Sequence, residues 1–141
     1  MIKLKYLLTL DMQHNNGVKK GNILSYMGIG YVIVEEVFGD KIRVAKSTTD
    51  ISNPDRIIML ANLSGVNITK ANLLKLGFQE TQVFSTVVML QVQLTEVNGK
   101  WFYGGIDTLD LNKPIEYFHE LQNFLSKELT IQLDIWPLLT E

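Results

Sequence analysis

Asn22-Ile-Leu-Ser-Tyr26, Gly28-Ile-Gly30, Tyr31-Val-Ile-Val-Glu-Glu-Val37, Gly39-Asp40 and Lys41-Ile-Arg-Val-Ala45 follow one another along the chain. Short runs rich in β-branched residues, separated by glycine turns, read as strands. Gly39-Asp40 suits a two-residue hairpin connection. Lys41 to Ala45 alternates polar and apolar side chains, as a half-buried strand does. Three such strands predict a small curled sheet, SH3-like in its proportions.

Upstream, Met1 to Leu10 is apolar but interrupted by Lys3 and Lys5, with no small-residue cleavage site after it. It reads as a strand and not as a signal peptide. Asp11 to Gly21 is polar and turn-rich, with Asn16-Gly17 as a turn signal. Downstream, Ser47 to Asn53 is a polar loop, Arg56 to Leu60 a returning strand, and Ala61 to Asn67 a connection. Thr69 is placed to cap a helix over Lys70–Leu76, which Gly77 ends. Val83–Val97 is strand-like, with Leu90, Val92 and Leu94 alternating with Gln91, Gln93 and Thr95. Asn98-Gly99 is the strongest hairpin signal in the chain, and Lys100 to Tyr103 is its partner strand. Gly104-Gly105 ends that strand or bulges it. A second helix is expected from Asn112 or Lys113 at its cap, with Pro114 in the first turn. Ile115, Phe118, Leu121 and Leu125 lie on its apolar face. Leu129 to Ile135 alternates strictly and predicts a last strand ended by Pro137.

The order is strands, helix, hairpin, helix, strand. Strands cluster before and between the helices, which predicts an α+β fold over a doubly wound sheet. The length of 141 residues suits a single domain. A β-rich half, 1–64, and a helix–hairpin–helix–strand half, 65–141, would be its subdomains.

Composition narrows the function classes. Hydrophobic residues make up 46% and charged residues 20%, the balance of a packed globular chain. Thirteen basic and fifteen acidic residues give a net charge of −2, which argues against nucleic acid as a partner because such binding neutralises phosphates. The absence of cysteine excludes disulfides, thiolate metal sites and cysteine nucleophiles, and it fits a cytoplasmic setting. No run approaches the ~20 apolar residues of a membrane span.

Three motifs occur in a familiar order. Lys20-Gly21-Asn22-Ile23 comes first, then Ile68-Thr69 with Leu73-Leu-Lys-Leu-Gly77-Phe78, then Ile115-Glu-Tyr-Phe-His119-Glu-Leu-Gln122-Asn123-Phe124 with Glu128-Leu129. Together they resemble a group of small uncharacterised proteins of Bacteroides-type gut bacteria and of their phages and prophages. That group has a Gly-Asn opening, a Leu-x-x-x-Gly-Phe segment and a His-x-Leu-Gln-Asn helix. The resemblance runs from about Lys19 to Leu133. Met1–Leu10 and the loop after it are not part of the pattern, and Phe118 stands where the pattern has Val. The resemblance implies a bacterial or phage cytoplasmic setting and no particular activity.

Candidate chemistry is sparse. His119 could be an acid–base group or a ligand contact; the simpler reading is a helix-surface or packing histidine. His14 lies in the polar loop with Asp11, and no HxxxH spacing suggests a metal site. Gly28-Ile-Gly30 is followed by a strand, so it lacks the helix N-terminus of a dinucleotide fingerprint and reads as a turn. Glu35 and Glu36 are adjacent on a strand and are expected on opposite faces. Asp107, Asp110 and Asp134 are scattered. Trp101 and Tyr103 share one strand face and Phe102 takes the other. Such aromatics can stack on bases, particularly beside Lys41, Arg43 and Lys100, and they are equally ordinary strand residues. Trp136, Leu138 and Leu139 form an apolar tail that a homo-oligomer contact would cover, as would folding back.

These features predict a non-enzymatic binding protein of phage or mobile-element type, with no cofactor, no metal and no membrane. Its partner would be a host protein or a small nucleotide-like ligand, the latter as an anti-defence protein sequestering a host signal. Arg43, Arg56, Trp101, Tyr103 and His119 are the candidate ligand-binding residues. The alternatives are a nucleic-acid module using Lys19, Lys20, Lys41, Arg43 and Lys46, and a structural virion component. An enzyme would rest on His119 and the scattered carboxylates alone.

Overall fold

The computed structural model describes residues 17–51, 53–82, 85–105 and 107–139. The expected strand Met1–Leu10, and Asp11 and His14, lie outside the described residues, as does Val83. The fold is α+β, with two antiparallel sheets and two α-helices. Its residues divide into two compact units, 1–66 with 118–133 and 67–117 with 134–141.

The first unit holds β1 (Ile23–Tyr26), β2 (Gly30–Phe38), β3 (Lys41–Ser47), β4 (Ile57–Met59) and β5 (Leu63–Gly65). They form one antiparallel sheet in the order β4-β3-β2-β1-β5. Strands β1 to β4 pair consecutively, and β5 returns to pair with β1. Gly39 takes φ +64, so Phe38 pairs with Lys41 across the two-residue turn. Gly30 is required for a different reason. A Cβ there would meet Thr48 Oγ1 at 2.8 Å and Thr49 Cβ at 2.9 Å. This close approach is fixed by the Tyr31 N–H, which donates to Thr48 Oγ1 at 2.8 Å.

Val32 and Val34 face the core of this unit with Ile42, Val44, Ile58 and Leu60. Each such side chain contributes about 1.5–3 kcal/mol by leaving water. Between Val34 and Glu36 the register with β3 shifts. The extra residue, Glu35, resets the inside–outside alternation. Both Glu35 and Glu36 are therefore exposed, a departure from the opposite faces that a regular strand predicts.

Ala61 to Asn67, expected as a plain connection, contains a 3-10 turn at Leu60–Asn62 and then β5, which returns beside β1. A three-residue strand is too short to show a period. Helix α2 (Phe118–Leu129) completes the first unit, packed on β1, with Phe118, His119, Leu121 and Leu125 buried.

The second unit carries α1 (Lys70–Lys75) and a four-stranded antiparallel sheet of β6 (Gln79–Glu80), β7 (Thr86–Met89), β8 (Val92–Val97) and β9 (Lys100–Tyr103), in that order. Thr69 caps α1 by accepting the Asn72 N–H at 3.1 Å. At the other end Gly77 has φ +109. The Phe78 N–H donates to the Leu73 carbonyl and the Gly77 N–H to the Leu74 carbonyl, both at 3.1 Å. This is the Schellman closure, with Leu73 and Phe78 buried against it. The stretch Val83–Val97 is not one strand: Leu90 and Gln91 turn it back on itself, with Leu90 at φ +54 and 84% exposed. Asn98 and Gly99 both have positive φ and make the expected hairpin.

Two expectations are corrected in the C-terminal third. The second helix starts at Phe118, not near Pro114. Ile115 instead forms a bridge to Trp101, and Tyr117 one to Asn67. The Ile115 N–H donates to the Trp101 carbonyl at 2.8 Å, and the Ile68 N–H to the Glu116 carbonyl at 3.1 Å. Ile115-Glu-Tyr117 satisfies both a helical and an extended pattern, and the neighbouring backbone decides between them. The last strand, Leu129–Ile135, does not form. Helix α2 runs through Leu129, Thr130 takes φ +54, and residues 130–135 join no ladder. Leu133 and Ile135 are still buried at alternate positions. Alternation reports which side chains face inward; a strand also needs an edge to pair with. Pro137 lies in a 3-10 turn, Trp136–Leu138, that packs against α1, burying Leu138 and leaving Trp136 half exposed.

Candidate functional site

Two places concentrate polar groups, one in each unit. In the second unit the chain at 115–117 runs beside β9 and the chain at 67–68 runs beside it in turn. These pairings leave a hollow of about 300 Å³, at the small end of ligand-binding cavities. Buried Trp101 and Ile68 form its inner wall, and half-buried Ile115 with Pro114 adds apolar surface. Lys100, Asn67 and Glu116 are exposed at its rim, and Gly99 of the hairpin turn completes it. Lys100 makes no ion pair among the described residues, where the pairs are Arg43–Glu36 and Lys70–Glu80.

The lining has no histidine, serine, threonine or cysteine, so a hydroxyl or thiol nucleophile paired with a histidine base is not available in it. What it offers is an apolar wall, a cation, a carboxylate and an amide, the inventory of a binding site. Among the described residues no group of three or more His, Cys, Asp or Glu is placed to hold a metal ion.

In the first unit, Asn22 and the helix residues Gln122 and Asn123 form an amide cluster. The Gln122 side chain accepts the Ile23 N–H at 2.9 Å and donates to the Gly21 carbonyl at 2.9 Å. One amide thus serves the backbone on either side of Asn22 as a neighbouring strand would. Asn22 donates to Asn123 Oδ1 at 2.9 Å, and Asn123 Nδ2 reaches back to Asn22 Oδ1 at 3.3 Å. Asn22 Oδ1 also accepts the Lys19 N–H at 2.7 Å, and Asn123 donates to the Gly17 carbonyl. Asn22 is only 2% exposed, and a buried amide is stable only when its groups are paired in this way. The Gly21-Asn22 and Gln122-Asn123 pairs singled out in the sequence are therefore the two halves of one fastening.

The five sequence-predicted site residues are dispersed. Arg43 is on β3, where its guanidinium pairs with Glu36 and lies 5.4 Å over the Phe38 ring. Arg56 is exposed in the turn before β4 at φ +56, and its carbonyl accepts the Val44 N–H at 2.8 Å. His119 is buried on α2. These three belong to the first unit, and Trp101 and Tyr103 to the second. Of the five, Trp101 alone lines the hollow. Across β8, Trp101 stands opposite Glu96 and Tyr103 opposite Leu94; Trp101 is buried and Tyr103 half-buried. Burial pushes the His119 imidazole below its ordinary pKa, and the neighbouring Glu120 carboxylate works against that shift.

Asn67, Ile68, Ile115 and Glu116 escaped the sequence reading as site residues. The Asn98-Gly99 hairpin put Lys100 next to Trp101, but nothing local indicates that 67–68 and 114–116 lie alongside. Among the described residues no helix is long and apolar enough to cross a membrane. No family model matches the chain, and no curated protein or solved structure matches it.

Proposed function

We propose that the chain is a non-enzymatic binding protein that takes a small ligand with an apolar, nucleotide-like body and an anionic group into the hollow beside β9. The observation that carries this reading is the composition of the hollow: a wall of Trp101, Ile68, Ile115 and Pro114 with the Lys100 ammonium at its mouth. The wall gains by excluding water from a flat apolar body, and the cation adds orientation and attraction for an anion. The lack of a hydroxyl or thiol nucleophile and of histidine in the lining favours binding over catalysis. The resemblance to phage and prophage proteins supports a role in sequestering a host nucleotide signal. For the first unit we infer an SH3-like β unit, since a four-strand meander is followed by a 3-10 turn and a fifth strand returning beside the first.

The chain has two tryptophans, so Trp136→Phe leaves Trp101 as the single emitter. Titrating that variant with AMP, and with adenosine as the uncharged control, should change Trp101 emission saturably and more tightly for AMP. Lys100→Ala should abolish the preference for AMP while leaving the fold intact. A flat titration with both, or a preference unchanged by Lys100→Ala, would refute the reading.

A further inference from the structure

The hollow beside β9 carries a carboxylate as well as a cation, and the backbone sets the two side by side. Trp101 and Ile115 form an antiparallel bridge. One step back along β9 is Lys100, and one step forward along the facing segment is Glu116. The same register therefore places these two opposite each other. Directly opposed residues of an antiparallel pair have Cβ atoms about 5 Å apart. The backbone around Glu116 is held on both sides. The Ile115 N–H donates to the Trp101 carbonyl at 2.8 Å, and the Glu116 carbonyl accepts the Ile68 N–H at 3.1 Å. Glu116 thus presents an exposed carboxylate from a fixed piece of chain, at the same rim as Lys100.

An ionised carboxylate only accepts hydrogen bonds. It is matched by a hydroxyl or N–H of a ligand and repels a second anion. A ligand whose anionic group meets Lys100 brings the neighbouring part of its body to Glu116. In a nucleotide the part next to the phosphate is the sugar, and the hydroxyls of a ribose are donors. The base then continues onto the wall of Trp101, Ile68 and Ile115. Resting on the binding reading above, we propose that Glu116 is a specificity-determining residue of the hollow. Its carboxylate accepts a ribose hydroxyl of a nucleotide whose phosphate meets Lys100, which narrows the ligand from a nucleotide-like body to a ribonucleotide. A site that hydrogen-bonds a hydroxyl rejects the analogue lacking it, because the acceptor is left without its partner. At an exposed rim water takes over part of that role, so the discrimination is moderate.

Trp101 emission in the Trp136→Phe variant, titrated with AMP and with 2′,3′-dideoxy-AMP, tests the role of Glu116. AMP should bind roughly fivefold more tightly than the dideoxy analogue. Adding Glu116→Ala should bring the two affinities together, chiefly by weakening AMP. Adding Glu116→Gln should keep a reduced preference, since the side-chain amide oxygen still accepts but without charge. A flat titration with AMP sinks the binding reading and the role of Glu116 together. Saturable AMP binding with equal affinity for the dideoxy analogue leaves the binding reading standing and overturns the role of Glu116 alone. A preference that survives Glu116→Ala in full does the same. Should Glu116→Ala not fold, an undiminished preference in Glu116→Gln overturns it instead.

Discussion

The amide cluster on α2 and the hollow beside β9 spend their polar groups in opposite ways. Asn22, Gln122 and Asn123 direct their amides inward, to one another and to the backbone of Gly17, Lys19, Gly21 and Ile23. Lys100 and Asn67 stand exposed at the mouth of an apolar-walled hollow. A satisfied buried network specifies structure and has little left to offer a ligand. A rim of exposed polar groups over an apolar wall contributes little to stability and retains its capacity for a partner. The motifs most conspicuous in the sequence belong to the first kind, and the proposed binding site belongs to the second.

The sharpest way to break this contrast is Gln122→Ala, which leaves the Ile23 N–H and the Gly21 carbonyl without their side-chain partner. It should cost about 3 kcal/mol in urea unfolding. A cost near zero would mean the cluster does not hold the first unit together.

Acidification should come next in size. Histidine held neutral in the folded protein has a folded pKa below its ordinary 6.5. The unfolded chain therefore binds the proton more readily. Stability is full above the ordinary value and falls as pH drops below it, by up to about 1.4 kcal/mol per pH unit until the folded value is passed. Unfolding curves of wild type and His119→Gln across this range should diverge on the acid side, and parallel curves would count against a buried neutral histidine.

In the second unit, Leu90 holds a positive φ while almost wholly exposed. Glycine has no Cβ penalty at the first position of such a hairpin turn. Leu90→Gly should raise stability by about 1 kcal/mol, measured by the same denaturant midpoint; a loss would mean that Leu90 makes a contact worth more than its strain. The smallest effect belongs to the hollow. Lys100→Ala should change stability by no more than about 0.5 kcal/mol while removing the preference for AMP. A large stability loss would place Lys100 with the structural residues and erase the contrast.

Sequence patterns made some of this legible and hid the rest in a regular way. The turns at Gly39-Asp40 and Asn98-Gly99 were readable, as was the α1 cap at Thr69. Each depends on residues within a few positions of one another. The helix start near Pro114 was misplaced because Ile115-Glu-Tyr117 fits either period until Trp101 and Asn67 supply backbone partners. The stretch through Leu90 read as one strand because apolar alternation continues across a turn that has neither glycine nor asparagine in it. Of the candidate site, Trp101 and the neighbouring Lys100 were found from their residue types; the rest of the wall comes from 67–68 and 114–116, distant in sequence.

By itself, then, the sequence determined the α+β class, the main hairpins and the ends of α1, because turn chemistry, capping and glycine φ preferences act over one to five residues. Tertiary structure alone decided that Asn22 meets Asn123, 101 positions away, and that 115–117 extends beside β9. It also decided that 130–135 stays outside any ladder despite its alternation. Those outcomes depend on which edge or amide lies nearby in space, and a one-dimensional pattern of residue types carries no record of that proximity.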